Sequence, residues 1–444
     1  MPAGNRVLNG LRLDFKGLDF GGRDPLDIAA PQLDRIPQQL RTGYLFRSDK
    51  QLISSGQEER LDVIDNHLIE DGLLRFHGYE ADMQAVYIAS ERIKDAYSMD
   101  AVHDLILVGN GGSVSTCHAL YDALMKFSTG YGRLHILDTM DPDYISYLKG
   151  ACSEDETVVL AVSKSGSTQG VLDAFSQFKS YNLAAVTAKD ESRPLYKMLK
   201  SFTGGAADRV SLDHPPIGGR YSGRTPSGML PLALLGLGLE DLEKIDAGAC
   251  EAYEKIGPKV AAGNNPALFL AAVLYALEGE GKNTLFAPMY SHRFDGFAHL
   301  IVQLLHESSC KSGAGQTILA ASAPESQHHT NQRLFGGKQD MAVLFFTLKA
   351  PDSTGLKAGD GVPLEKALLF EYEGTREEAG ERGISHVTVE VKEMTAKTVG
   401  SLLAFSHYAF GVYPALVRDV NPVDQPQVER SKQITREKRK GYTK

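Results

Sequence analysis

Six consecutive residues, Ser163-Lys164-Ser165-Gly166-Ser167-Thr168, place four hydroxyls and one ammonium directly after the apolar run 158–162. Hydroxyls donate to phosphate oxygens and a lysine adds charge. A helix from Gln169 to Phe178 would turn its free N–H groups on the same anion. An earlier loop has related chemistry: Gly109-Asn110-Gly111-Gly112-Ser113 follows the run 105–108 and precedes a helical pattern over 114–127. Its glycines let backbone N–H groups approach an anion at a helix start. A tight structural turn and a serine-rich surface turn are the bland alternatives. Neither loop has the dinucleotide spacing Gly-x-Gly-x-x-Gly or the nucleotide loop Gly-x-x-x-x-Gly-Lys-Ser/Thr, so a bound phosphomonoester is the simpler reading.

Such loops need strands behind them. Short apolar runs at 105–108, 158–162 and 183–186 alternate with helix-like stretches, the pattern of a parallel sheet covered on both faces. Runs at 284–287, 317–320, 341–348 and 386–391 predict a second unit of the same kind. Between them a helical bridge includes 225–239, where Thr225 suits the cap and Pro226 the first helical position. The expected fold class is α/β, two units with parallel-strand sheets, joined and wrapped by helices. The expected divisions are a helical N-terminal segment over 1–80, a first α/β unit over 81–240, a second over 241–400 and a helical C-terminal segment over 401–444. The first of these rests on apolar residues at helical spacing around Leu61, Ile64 and Leu68.

A chain of 444 residues with 42% hydrophobic and 23% charged residues fits two globular cores without a long disordered region. A formal net charge of −9 argues against nucleic acid as a partner, and the basic stretch 436–440 reads as a solvated helix end. Cys117, Cys152, Cys250 and Cys310 form no Cys-x-x-Cys pair, and the histidines show no His-x-x-x-His or His-x-His arrangement. Neither a disulfide framework nor a metal motif is indicated, and no metal or cofactor is expected. Residues 1–15 lack the apolar stretch of a signal peptide or spanning helix, so a soluble cytoplasmic protein away from membranes is expected.

Further motifs occur in order: Gly218-Gly-Arg220-Tyr-Ser222, Thr225-Pro-Ser-Gly-Met-Leu-Pro231, Glu307-Ser-Ser-Cys-Lys311, Gln327-His328, and Asn421-Pro-Val-Asp-Gln425-Pro426 continuing to Lys432. With the serine loop, which resembles that of sugar isomerase domains, they resemble the phosphoglucose isomerase family in its shorter bacterial and archaeal form. The similarity extends from about Leu105 to Lys432. The resemblance implies two sugar-isomerase-type units and isomerisation of glucose 6-phosphate to fructose 6-phosphate. It assigns the phosphosugar to Gly112, Ser113, Ser163, Lys164, Ser165, Ser167, Thr168 and Gln425. It assigns Glu307 as the base, Arg220 as charge stabiliser, and His328 with Lys432 as the ring-opening pair. It further implies a homodimer in which His328 comes from the neighbouring subunit.

The chemistry suits these types. Ring opening needs a group that takes and returns a hydroxyl proton near neutrality, as histidine does, with a cation at the ring oxygen. Moving a proton between C2 and C1 suits one compact carboxylate, and a guanidinium stabilises the enediolate that forms between. Outside the family context Glu307 would be a solvated helix end, Arg220 a salt-bridge partner, His328 a loop histidine alongside His329, and Lys432 a solvated lysine.

Three departures from the family pattern stand out. Gln169-Gly170-Val171 replaces Glu and Thr, Gln427 stands where a turn glycine is usual, and Gly223-Arg224 replaces an apolar pair. If position 427 demands positive φ, the loop bearing Lys432 is rearranged. Arg224 either alters substrate preference or sits in a salt bridge. The alternatives to the isomerase are a non-catalytic phosphosugar sensor and an isomerase of a related phosphosugar such as mannose 6-phosphate.

Overall fold

The computed structural model describes residues 5–42, 44–46, 68–69, 73–349, 351 and 354–442. The strands in chain order are β1 (Arg6–Leu8), β2 (Leu11–Gly17), β3 (Asp104–Val108), β4 (Arg133–Leu137), β5 (Thr157–Ser163), β6 (Asn182–Thr187) and β7 (Ser211–Leu212). They continue with β8 (Thr284–Tyr290), β9 (Thr317–Ser322), β10 (Met341–Leu348) and β11 (His386–Val391).

Every residue of β3 and β5 is buried, which is why both read as unbroken apolar runs. They are the centre of a parallel sheet of order β4-β3-β5-β6-β7. The chain leaves β3 toward β4 on one side and leaves β5 toward β6 on the other. The gap between the C-terminal ends of β3 and β5 is therefore a topological switch point, the place where open α/β sheets bind ligands. The glycine loop follows β3 and the serine loop follows β5, so both reach that gap.

The second sheet has the order β1-β2-β11-β10-β8-β9. Its four later strands are parallel, and β2 and β1 add antiparallel at one edge. This corrects the expectation of an all-helical N-terminal segment. Leu11, Leu13 and Phe15 are buried and alternate with partly exposed Arg12 and Asp14, a period-two pattern that makes 11–17 a strand on the edge of β11. Helices follow it at Pro25–Leu33 and Ile36–Thr42. Leu61 and Ile64 lie outside the described residues, and Leu68 forms an isolated antiparallel bridge with Leu74. In the first sheet β4 and β7 also escaped the apolar-run reading. Edge strand β4, Arg133-Leu-His-Ile-Leu137, is mostly half-buried, and β7 is two residues long.

Thr225 caps the Pro226–Leu234 helix by accepting from the Ser227 N–H, as its sequence predicts. That helix and the Asp295–Ser309 helix lie in a core cluster shared by both sheets. Gly296 permits a close crossing, because a Cβ there would lie 2.5 Å from the His118 carbonyl on the Gly112–Leu124 helix. A smaller cluster, including Phe286, Val343, Phe345 and Tyr372, fills the other face of the second sheet under the Leu364–Glu381 helix.

Behind the site, the Ala396–Ser406 helix passes into a π-helical turn, His407–Val412. His407 is fully buried, and its Nδ1 meets the Tyr253 hydroxyl at 2.7 Å. Burial, aided by the charge of Arg224, pushes its pKa down from 6.5 to about 3. Between those values the unfolded chain binds a proton that the folded chain does not, so this contribution to stability is complete above 6.5 and is lost as pH falls. Urea unfolding measured across that range is expected to show His407→Gln with a shallower acid loss than wild type, by up to about 1.4 kcal/mol per pH unit.

Candidate active site

The two loops at the switch point hold their shapes differently. In the glycine loop Gly111 has φ +58° and Gly112 starts the following helix with no side chain. A Cβ on Gly112 would stand 2.0 Å from the Arg220 backbone nitrogen, so this glycine lets the 218–221 segment lie directly on the loop. Ser113 is beside that contact, half-exposed, with its backbone nitrogen against Gly219.

In the serine loop Ser163 is buried and its hydroxyl lies 3.1 Å from that of Thr168. The Ser167 hydroxyl donates to Ser165 at 3.1 Å, both on the exposed side. The Gln169–Phe175 helix then begins with no side-chain cap on its N–H groups. Desolvation lowers the pKa of Lys164, and His214 is lowered by burial together with the Lys164 charge. A neutral imidazole there leaves the lysine as the local cation.

Arg220 is the centre of the site. It is buried, and all five of the N–H donors a guanidinium carries are used. Nε donates to Ser308 Oγ at 3.0 Å. One Nη donates to Glu307 Oε2 at 2.7 Å and to Gln425 Oε1 at 3.0 Å. The other donates to the carbonyls of Pro422 at 2.7 Å and Asp424 at 3.0 Å. Glu307 is in the last turn of the Asp295–Ser309 helix, its side chain 31% exposed against 4% for Arg220. Its second oxygen accepts from Gln303 Nε2 at 3.1 Å, and Gln303 Oε1 accepts from Ser115 at 2.6 Å. The carboxylate is thus oriented from two sides and open on the rest.

Three residues were not singled out individually from sequence. Gln303 precedes Glu307 by four positions, hence shares its helix face, which was the available signal. Lys311 was seen only as part of a motif. Its buried ammonium donates to the carbonyl of Asn421, to the Asp424 carbonyl at 2.8 Å and to Asp424 Oδ1 at 2.7 Å. Burial lowers its pKa against the opposing pull of Asp424. Tyr221 donates to the Pro422 carbonyl at 2.9 Å, and Phe76 stacks on its ring at 4.6 Å. Arg220, Lys311 and Tyr221 together hold the 421–425 segment, and so Gln425.

The structure brings Arg220, Glu307 and Gln425 into direct contact, sets Gly112 against Arg220 and sets Ser113 against the neighbouring Gly219. It does not bring in His328 or Lys432. His328 is exposed in the first turn of the Gln327–Gly336 helix, and Lys432 lies on the Glu429–Tyr442 helix, none of whose residues is buried. Lys432 pairs with Glu429 at 2.7 Å. Gln427 is not the cause, since it occupies a short turn, Pro426–Val428, without positive φ. Arg224 is settled as a buried salt-bridge residue, 2.7 Å from Asp246.

Two α/β sheets, hydroxyl-rich and glycine-rich loops at a switch point and a clamped carboxylate beside them define a protein of the phosphosugar isomerase class. The family model of phosphoglucose isomerase matches residues 76–340, and the chain belongs to that family. Among relatives, the glucose-6-phosphate isomerase of Rubrobacter xylanophilus is 28% identical over 84% of this chain and 91% of its own length. That of Acaryochloris marina is 28% identical over 81% of this chain and 69% of its own. In the fold alone, the crystal structure of a glucose-6-phosphate isomerase from Chlamydia trachomatis matches with TM-score 0.75 and 19% identity, covering 99% of this chain and 90% of that one. A hypothetical protein from Thermus thermophilus matches with TM-score 0.75 and 24% identity, covering 96% and 99%.

Lys311→Met would leave the carbonyls of Asn421 and Asp424 without their charged donor and loosen the 421–425 segment, which Arg220 and Tyr221 alone would then hold. Steady-state kinetics are expected to show kcat/KM lower by about 100-fold, the scale for displacing a positioned group by about 1 Å, with Glu307 itself untouched.

Proposed function

We propose that Glu307 moves the proton between C2 and C1 as this chain interconverts glucose 6-phosphate and fructose 6-phosphate. The observation that carries the reading is the 2.7 Å contact of Glu307 with Arg220, whose backbone rests on the glycine loop at the switch point. The phosphate is held by Ser113 and by Ser163, Lys164, Ser165, Ser167 and Thr168, with Gln425 nearby. That grip sets the open-chain sugar over the free side of the carboxylate.

Glu307 removes the C2 proton, the electron pair forms the C1–C2 double bond, and the carbonyl oxygen takes up the charge. The O2 proton passes to O1, the O2 electron pair forms the new C2 carbonyl, and the same carboxyl returns a proton to C1. Arg220 has all five donors engaged, so its charge acts through the field at the enediolate unless Glu307 or Gln425 gives up a bond. Carboxylate, guanidinium and imidazole suffice for this route.

His328 and Lys432 act at ring opening. His328 and His329 are both exposed, but His329 is engaged with Glu325 at 3.4 Å and Thr330 at 2.7 Å, which supports His328 as the histidine offered to another subunit. The protein is a homodimer in this reading, built of two sugar isomerase units at the boundaries set out above, with the N-terminal strands belonging to the second sheet. A cytoplasmic location is supported by four free cysteines, and among the described residues no helix is long and apolar enough to cross a membrane.

Glu307→Gln is expected to abolish nearly all isomerisation while phosphosugar affinity stays within about threefold, because binding belongs to the serine loop. Incubation with fructose 6-phosphate in deuterated water checks the same step: wild type exchanges hydrogen at C1 and C2, and the variant does not. Retained turnover in the variant rejects Glu307 as the base.

A second outcome concerns the shared histidine. Mixing Glu307→Gln with His328→Ala chains is expected to regenerate about a quarter of the native sites, since one hybrid site has both groups intact. Activity staying at the level of the separate variants places His328 within its own subunit.

A further inference from the structure

At the opposite end of the first sheet from the phosphate loops lies a second cluster of reactive side chains. Asp104 opens β3, His135 is in the middle of β4, and Cys152 follows the Pro142–Ala151 helix. The strand register pairs Asp104 with Arg133 and Ile106 with His135, so all four side chains share one face of the sheet. Asp104 and Cys152 are buried at 3% exposure each. His135 Nε2 is 2.7 Å from Asp104 Oδ1, and Arg133 donates to Oδ2 at 2.7 Å. One ligand atom from each of Asp104, His135 and Cys152 lies within 4.8 Å of the other two.

We propose that Asp104, His135 and Cys152 form a zinc site that pins the β3–β4 edge to the end of the Pro142–Ala151 helix. Zinc bonds of about 2.0–2.3 Å place ligand atoms roughly 3–4 Å apart, so small rotations of the thiol and imidazole close the cluster round an ion. One ion then replaces the proton of the Cys152 thiol and takes the lone pair of His135 Nε2, the neutral imidazole carrying its proton on Nδ1. Sulfur, nitrogen and carboxylate oxygen together favour zinc over magnesium or calcium, which take all-oxygen sets. Water fills the fourth position. Arg133 keeps its hold on the second carboxylate oxygen and orients it.

A thiol–imidazole–carboxylate nucleophile is the competing use of these residues, and the geometry disfavours it. The imidazole nitrogen nearest the cluster is spent on Asp104, and burial with the Asp104 charge pushes the thiol up to about 11. An entry path exists at the sheet edge, where the Arg133 side chain is 69% exposed and that of His135 19%. The site is one strand length from the glycine loop, about 13 Å at 3.3 Å per residue, so the ion is a staple and takes no part in isomerisation. No sequence spacing announces it, since its ligands come from three elements of the fold.

Cobalt(II), which reports thiolate ligation by a near-ultraviolet charge-transfer band, tests the site in the full-length protein. Wild type is expected to bind one cobalt per chain with that band, and zinc to displace it. Cys152→Ser is expected to lose the band, His135→Gln to bind at least tenfold more weakly, and both to keep wild-type turnover, which certifies their fold. Absence of the band in wild type overturns the proposal. So does a band unchanged in Cys152→Ser, which would assign the metal to another cysteine.

Discussion

A single buried guanidinium organises the catalytic region. Arg220 spends each of its donors on a different tie: the carboxylate of Glu307, the amide of Gln425, two carbonyls of the 421–425 segment and the hydroxyl of Ser308. A buried cation with fewer partners would be costly, and removing one member of such a pair costs about 3–5 kcal/mol. Full engagement therefore makes the arrangement rigid as well as tolerable. The end of the Glu307 helix and the 421–425 segment are held to one another through it.

That rigidity matters because no single element could carry the chemistry. The anion grip sits where β3 and β5 send their chains in opposite directions, while the carboxylate rides on a helix that follows β8 of the other sheet. The two parts meet because Gly112 and Gly296 remove side chains at two close approaches, one loop to segment and one helix to helix. Lys311 and Tyr221 reinforce the far side by fastening the same carbonyl-rich stretch that Arg220 grips. The site is thus a joint between two packed bodies, and its accuracy is inherited from their interface.

Much of this was legible in the residues. β3, β5, β6, β8 and β10 are mainly apolar runs because both of their faces are covered, and the Thr225-Pro226 start is a local signal that the structure repeats. What escaped notice was edge structure. Strand β2 alternates, β4 carries arginine and histidine, and β1 and β7 are three and two residues long. At the site, Arg220, Glu307 and Gln425 were recognisable from motif context, and their contact was not, since spacing along a chain says nothing about which loops fold onto one another. Lys432 shows the limit from the other side: its motif points to the site, yet within this chain its nearest charge partner is Glu429, three residues back on the same helix. Arg224 could be read either as a specificity residue or as a salt-bridge partner, and it is a buried partner of Asp246.

The last helix has an unusual mode of attachment. None of the residues from Glu429 to Tyr442 is buried, and Arg439 reaches Asp173 on the helix that springs from Thr168. Held with almost no apolar contact, it depends on solvent-exposed ion pairs that dissolved electrolyte screens within about 10 Å. Ionic strength is therefore a dial on the outer wall of the molecule: raising it loosens the terminal helix from the serine-loop side, while the desolvated knot around Arg220 stays tied.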